Sequence, residues 1–165
     1  DHYIPQSHWP AVIQSICDMG TVDAITKAAI DPGPAPLTQI ESEVAKFFRG
    51  EYFTDIVINL QHSGGVFAIE TLKKLSKPSP LSMAATIEMI HRVRVLNGIM
   101  PALEMEYRFT YRSAEQGDFI EGIRAMVIDK DRSPKWQHSL ADSLLPAATA
   151  MLRPLGAQTL DLTET

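Results

Sequence analysis

An all-α fold with eight or nine helices is what this 165-residue sequence predicts, on three observations. Apolar residues recur three and four apart along most of the chain, the period of one helix face. No stretch alternates at period two for long, so no strand is expected. Glycine, proline and short polar residues fall where helices would begin and end.

Taken in order, Ser7 can cap a first helix carrying Trp9, Val12, Ile13 and Ile16, with Gly20 as its stop. Thr21 can start a short second helix reaching Ile30. Asp31 to Pro36 holds three prolines in six residues and reads as a loop. A helix over Thr38–Phe48 follows, with Ile40, Val44, Phe47 and Phe48 inward and a Thr38/Glu41 capping-box spacing. Tyr52–Leu60 is apolar enough for a strand, but Thr54-Asp55 favours a helix start. Val66–Leu75 is amphipathic, with Lys73 and Lys74 solvated. Ser79 and Ser82 can cap the longest expected helix, about Leu81–Asn97, whose wide apolar arc needs two covered sides or a partner. Gly98 and Pro101 precede a helix in which Leu103, Tyr107, Tyr111 and Ala114 share a face. Gly117 ends it, Asp118 can cap the next, and Phe119, Ile120, Ile123, Met126 and Val127 form its apolar stripe. Asp129–Pro134 is a polar turn, with Trp136 just beyond. Leu140–Leu152 can form a last helix that Pro146 must start or kink, and residues 158–165 look frayed.

Composition excludes some function classes. The net charge of −5, with no basic block, weighs against a nucleic-acid partner held through phosphates. No apolar run approaches the ~20 residues that span a bilayer, so no membrane partner is expected. The single Cys17 excludes an internal disulfide and is expected to be a small buried hydrophobe. No Gly-x-Ser-x-Gly elbow, phosphate loop, dinucleotide fingerprint or His-Glu-x-x-His motif is present, and the histidines are dispersed. His62-Ser63-Gly64-Gly65 invites an oxyanion-hole role, against which a turn before a helix is the ordinary use of a glycine pair.

The order of residues carries more. Glu106-Tyr107-Arg108, then Gly117-Asp118-Phe119-Ile120-Glu121-Gly122-Ile123-Arg124-Ala125, then Ile128-Asp129-Lys130-Asp131 and Ser133-Pro134-Lys135-Trp136, resembles the C-terminal end of 3-hydroxyisobutyryl-CoA hydrolases, within the enoyl-CoA hydratase/isomerase (crotonase) superfamily. The opening Asp1-His2-Tyr3-Ile4-Pro5 resembles the point where that family leaves its catalytic α/β core. With a first residue that is not Met, the chain is expected to be a processed product or part of a longer protein. The resemblance implies a helical C-terminal domain over 1–136, an extension over 137–165, and an α/β core absent from this chain. The expected partners are that core, an acyl-CoA substrate, and further subunits through exposed apolar helix faces.

No catalytic residue or metal ligand can be assigned within the chain, because the family's oxyanion donors and acidic groups lie in the core. Coenzyme A enters as part of the substrate, with no separate cofactor. In related hydratases a lysine after the Glu-Gly-x-x-Ala run lies near the adenine end of CoA. The resemblance places Lys130 there, one residue farther on than in the hydratases, with Arg132 and Lys135 adding positive charge suited to phosphate. A solvated basic turn is the other use for these three residues. The compartment implied is the cytoplasm in a bacterium and the mitochondrial matrix in a eukaryote. A non-catalytic helical scaffold, or the tail of a hydratase or isomerase, is the competing role for the whole chain.

Overall fold

Every regular element among the described residues is helical: nine α-helices, interspersed with 3₁₀ turns and one π-helical turn. The computed structural model describes residues 1–160, so the expected frayed end lies, for 161–165, outside the described residues. The chain divides into two units, Asp1–Ser42 and Glu43–Thr165.

In the first unit α1 (Trp9–Met19) packs against α2 (Asp23–Ala28). Gly20 ends α1 at φ 66°, a left-handed conformation open to glycine without a Cβ penalty, and its N–H reaches Ile16 O at 2.8 Å. The Thr21 hydroxyl accepts from Asp23 N at the start of α2. Ser7 does not cap α1: it lies in a 3₁₀ turn, Gln6–His8, that leads straight into the helix. Cys17 is exposed rather than buried. Only Ala24 is buried in α2 and nothing is in α1, so this unit has almost no core of its own. The proline-rich loop is present, but Pro36–Ile40 closes it as a 3₁₀ turn instead of opening a long helix. The Thr38/Glu41 pair therefore forms no capping box, because Thr38 N is already bonded to Ala35 O.

The second unit is built around two linked apolar clusters. Phe47, from α3 (Glu41–Phe47), joins Ile56 and Leu60 of α4 (Phe53–Ser63) and Ala68 of α5 (Val66–Leu75). Of the four residues expected inward on a helix over Thr38–Phe48, Phe47 alone is buried; Ile40, Val44 and Phe48 are each 38% exposed. α4 starts where Thr54-Asp55 indicated, with the Asp55 carboxylate accepting from Tyr52 N at 3.0 Å. Gly64, at φ 63°, ends α4 and Gly65 precedes α5, so the glycine pair is a helix-to-helix turn.

The other cluster unites Phe53 and Val57 of α4 with Ala84 and Ala85 of α6 (Pro80–Val93), Leu144, and Ala148 of α9 (Leu145–Met151). Ser79 caps α6 as expected, its hydroxyl accepting from Ser82 N at 3.1 Å. α6 stops at Val93, so the longest helix is α7 (Met100–Gln116), not the one after Ser79. Val95, Leu96 and Ile99 consequently lie in an exposed connection, which explains an apolar repeat too wide for one helix. The buried residues of α7 are Met105 and Ser113. Leu103 and Tyr111, on the face first picked out by spacing, are exposed. Pro146 sits in the first turn of α9, where its missing N–H costs nothing.

α9 is integral to this core. Leu144 and Leu152 are 1% and 0% exposed, and Arg112 of α7 donates to the carbonyls of Met151, Arg153 and Pro154 at 3.0, 2.7 and 3.2 Å. Leu144→Ala should therefore cost about 2–5 kcal/mol in urea unfolding, the range for truncating a fully packed leucine. Val66→Ala, at a position 76% exposed, should stay within about 0.5 kcal/mol.

Candidate functional site

After Gly117 the chain makes a short helix, α8 (Phe119–Ile123), which widens into the π-helical turn Arg124–Ile128. Gly117 lies at a close approach: a Cβ there would stand 3.0 Å from Ser113 O and 3.2 Å from the Met151 methyl. Asp118 occupies the N-terminal position of α8, but its carboxylate does not cap that helix. It is buried and turned elsewhere: Ser79 Oγ donates to Oδ2 at 2.5 Å and Gln137 N donates to Oδ1 at 3.0 Å. One carboxylate thus ties the start of α6 to the chain leaving the 129–136 turn. Gln137 Nε2 adds a bond to Gly117 O, and Trp136 Nε1 one to Lys77 O, both 3.0 Å. The Trp136 ring lies over Gly122, 3.6 Å from where a Cβ would stand.

The upstream half of the turn is organised by Arg124. Its Nε and Nη2 donate to the two oxygens of Glu121 at 2.8 and 2.7 Å, a bidentate pair. Nη1 donates to Asp129 Oδ2 and Asp131 Oδ2, each at 2.7 Å, and Nη2 also reaches Ser133 O at 3.2 Å. Glu121 closes the circle by accepting from Lys135 N at 2.6 Å. The Arg124 guanidinium and the Lys135 N–H together pull the Glu121 carboxyl down from 4.5 to about 2. Asp131 is also held below the ordinary carboxylate range, by Arg124 first and by Ser133 N–H second.

Lys130, Arg132 and Lys135 are all exposed on this turn. Lys130 and Arg132 have φ of 55° and 54°, left-handed backbone that costs an L-residue with a Cβ about 1–2 kcal/mol. Arg132 N is nevertheless fixed, donating to Ala125 O at 3.1 Å. No carboxylate among the described residues forms an ion pair with Lys130, Arg132 or Lys135, because the nearby acidic side chains are bound to Arg124. The three cations thus share one ordered segment and hold no carboxylate in direct contact. Arg124 is the residue the sequence reading passed over. Its signal was the i, i+3 spacing from Glu121, which places opposite charges side by side on a helix.

Beside the turn runs an open groove of about 800 Å³, lined mainly by apolar side chains including Leu81, Phe109, Ile123, Val127 and Trp136. The α8 stripe is uncovered: Phe119, Ile120, Met126 and Val127 are 53–62% exposed. Among the described residues no helix is long and apolar enough to cross a membrane.

Since the Glu121 pKa is depressed in the folded protein, its contribution to the turn is complete above about pH 4.5 and lost as pH falls through about 2. A carboxyl-resolved NMR titration should give Glu121 a midpoint near 2. In Arg124→Gln it should move up toward 4.5. A Glu121 midpoint unmoved from 4.5 in the unsubstituted protein would contradict the bidentate pair.

The family model described as enoyl-CoA hydratase/isomerase matches residues 1–151. The mitochondrial 3-hydroxyisobutyryl-CoA hydrolase of Bos taurus is 37% identical over 105 residues, 63% of this chain and 27% of its own length. That of Homo sapiens is 39% identical over 90 residues, 54% of this chain and 23% of its length. An enoyl-CoA hydratase structure from Rhodobacter sphaeroides 2.4.1 superposes with a TM-score of 0.78 at 37% identity, covering 98% of this chain and 47% of that one. A carnitinyl-CoA dehydratase from Mycobacterium thermoresistibile gives 0.83 at 26% identity, covering 94% and 45%. The chain thus spans about a quarter of the length of these curated relatives and just under half of the solved chains. With nearly the whole helical chain matched, from Asp1 through α9, it belongs to the enoyl-CoA hydratase/isomerase family.

Proposed function

We propose that this chain is the C-terminal helical portion of a CoA-thioester hydrolase acting on a branched hydroxyacyl-CoA such as 3-hydroxyisobutyryl-CoA, and that it is not catalytic alone. The observation that carries this is the 37–39% identity to the bovine and human 3-hydroxyisobutyryl-CoA hydrolases. In the proposed protein an α/β core supplies the oxyanion donors and acidic groups, and water attacks the thioester carbonyl to release the free acid and the CoA thiol. The helical chain covers the acyl pocket and packs on that core or a neighbouring subunit. The exposed α8 stripe and the adjoining groove suit that packing, since large uncovered apolar surfaces serve as interfaces. Lys130, with Arg132 and Lys135, meets the nucleotide phosphates of CoA. The proposed compartment is the cytoplasm for a bacterial source and the mitochondrial matrix for a eukaryotic one.

A second activity is favoured by one observation. The Rhodobacter sphaeroides protein titled enoyl-CoA hydratase is 37% identical and covers 98% of the chain. Hydration adds water across a C=C bond and leaves the thioester intact, so thiol release separates the two. The complete protein carrying this chain should release CoA thiol from 3-hydroxyisobutyryl-CoA, and the 165-residue chain alone should not. Turnover by the isolated chain, abolished by a point substitution within it, would overturn the non-catalytic role. Hydration of an enoyl-CoA without thiol release would replace hydrolase by hydratase.

The CoA contact has its own test. A charge-assisted hydrogen bond to a partly desolvated phosphate contributes about 1.5–3 kcal/mol, and an exposed ion pair about 0–1. Lys130→Ala in the complete protein should accordingly raise KM for the acyl-CoA about three- to a hundredfold. Its kcat should change little, because the contact is remote from the thioester and alike in ground and transition states. The corresponding pantetheine thioester, which lacks the nucleotide, should be insensitive. An unchanged KM for the CoA ester would leave these residues as a solvated helix end.

A further inference from the structure

We propose that Arg124 is a positioning residue for the CoA-phosphate contact: it sets the backbone that presents Lys130 and Arg132 and keeps neighbouring carboxylates from neutralising them. The proposal rests on the CoA-binding role of the turn given above. Its physical basis is an alternation along the chain. Asp129, Asp131 and Ser133 each place an oxygen on the Arg124 guanidinium. Lys130 and Arg132, the residues between them, are the two in left-handed backbone. Each strained cation is therefore flanked on both sides by a residue anchored to the same side chain. Strain of this kind persists only where surrounding contacts over-determine it.

The charges lead the same way. From Glu121 to Lys135 the chain carries four cations and three carboxylates. If those carboxylates were free, they could pair with Lys130, Arg132 and Lys135 and compete with an incoming phosphate. Instead all three are bound to the one cation that itself lies against the helix. Arg124 has no N–H-bearing nitrogen without a carboxylate partner, so its contribution to anion binding is through the turn and not by direct contact. A lysine cannot reproduce this, because an ammonium lacks the planar fork that holds Glu121 bidentately while reaching the aspartates.

The experiment uses the complete protein, with acyl-CoA and the matching acyl-pantetheine as substrates. Arg124→Met should raise KM for the CoA ester about tenfold, or ~1.4 kcal/mol, and leave kcat and the pantetheine ester within about twofold. Arg124→Lys should recover less than half of that loss on a logarithmic scale. In a background carrying Lys130→Ala and Arg132→Ala, Arg124→Met should have no further effect on KM, since it acts through those side chains. Amide hydrogen exchange should show lost protection at Arg132 and Lys135 in Arg124→Met, with the amides of α6 and α9 unchanged. That pattern also identifies a folded variant.

Three results overturn the proposal, each in a different way. A KM unchanged by Arg124→Met while Lys130→Ala raises it would dismiss the positioning role and keep the CoA contact. A full effect of Arg124→Met in the Lys130→Ala, Arg132→Ala background would make Arg124 a direct ligand. If Lys130→Ala, Arg132→Ala and Lys135→Ala together leave KM unchanged in protein with Arg124 intact, the turn does not bind CoA and there is nothing for Arg124 to position.

Discussion

The second unit depends on a buried carboxylate that holds together segments far apart in sequence. Asp118 accepts from Ser79 Oγ and from Gln137 N, so the start of α6, the start of α8 and the exit from the turn share one anchor. A carboxylate removed from water is costly unless its oxygens find donors, and here each oxygen has one. The Ser79 hydroxyl also caps α6, so the same small network starts one helix and places another. The Trp136 Nε1–Lys77 O and Gln137 Nε2–Gly117 O bonds reinforce this anchor at the exit of the turn, where the Trp136 ring lies over Gly122.

Between these two fixed ends the turn presents charge in a way that net charge conceals. A chain of net charge −5 is a poor general ligand for phosphate. Within one segment, however, the acidic side chains are gathered onto a single guanidinium and the other cations are left facing water. What matters for an anion is this pairing pattern. It is local, and it comes from a bidentate fork that only arginine supplies.

The apolar groove next to the turn has a different origin. α8 is too short to bury a full stripe, and the π-helical turn after it shifts the following side chains off the α-helical face. Leu81, Phe109, Ile123 and Trp136 line a channel while Phe119, Ile120, Met126 and Val127 remain half exposed or more. Together with the fraction of the relatives' length that this chain spans, that surface suits packing against further protein, as proposed for the family's core.

Much of this was determined by the sequence itself. Helical periodicity gave the all-α class, Gly20 marked a helix end, the Gly64-Gly65 pair marked a turn before a helix, Thr54-Asp55 and Ser79 marked helix starts, and the Asp118–Trp136 residue order resembled a family whose model then matched residues 1–151. These are local signals, fixed by backbone sterics and by which side chains can bond nearby N–H groups. Tertiary structure decided the rest. The Thr38/Glu41 spacing lost to a 3₁₀ turn, Cys17 stayed exposed, and the apolar face of α7 that spacing suggested is not the one it buries. Asp118 had the position of a helix cap but was taken by Ser79 and Gln137, partners 39 and 19 residues away. Arg124, three residues after Glu121, gained Asp129, Asp131 and Ser133 as partners only because the turn folds back onto it. The sequence could not disclose these outcomes, because a polar side chain satisfies its bonds with whatever the fold brings within about 3 Å, and spacing records only the neighbours along the chain.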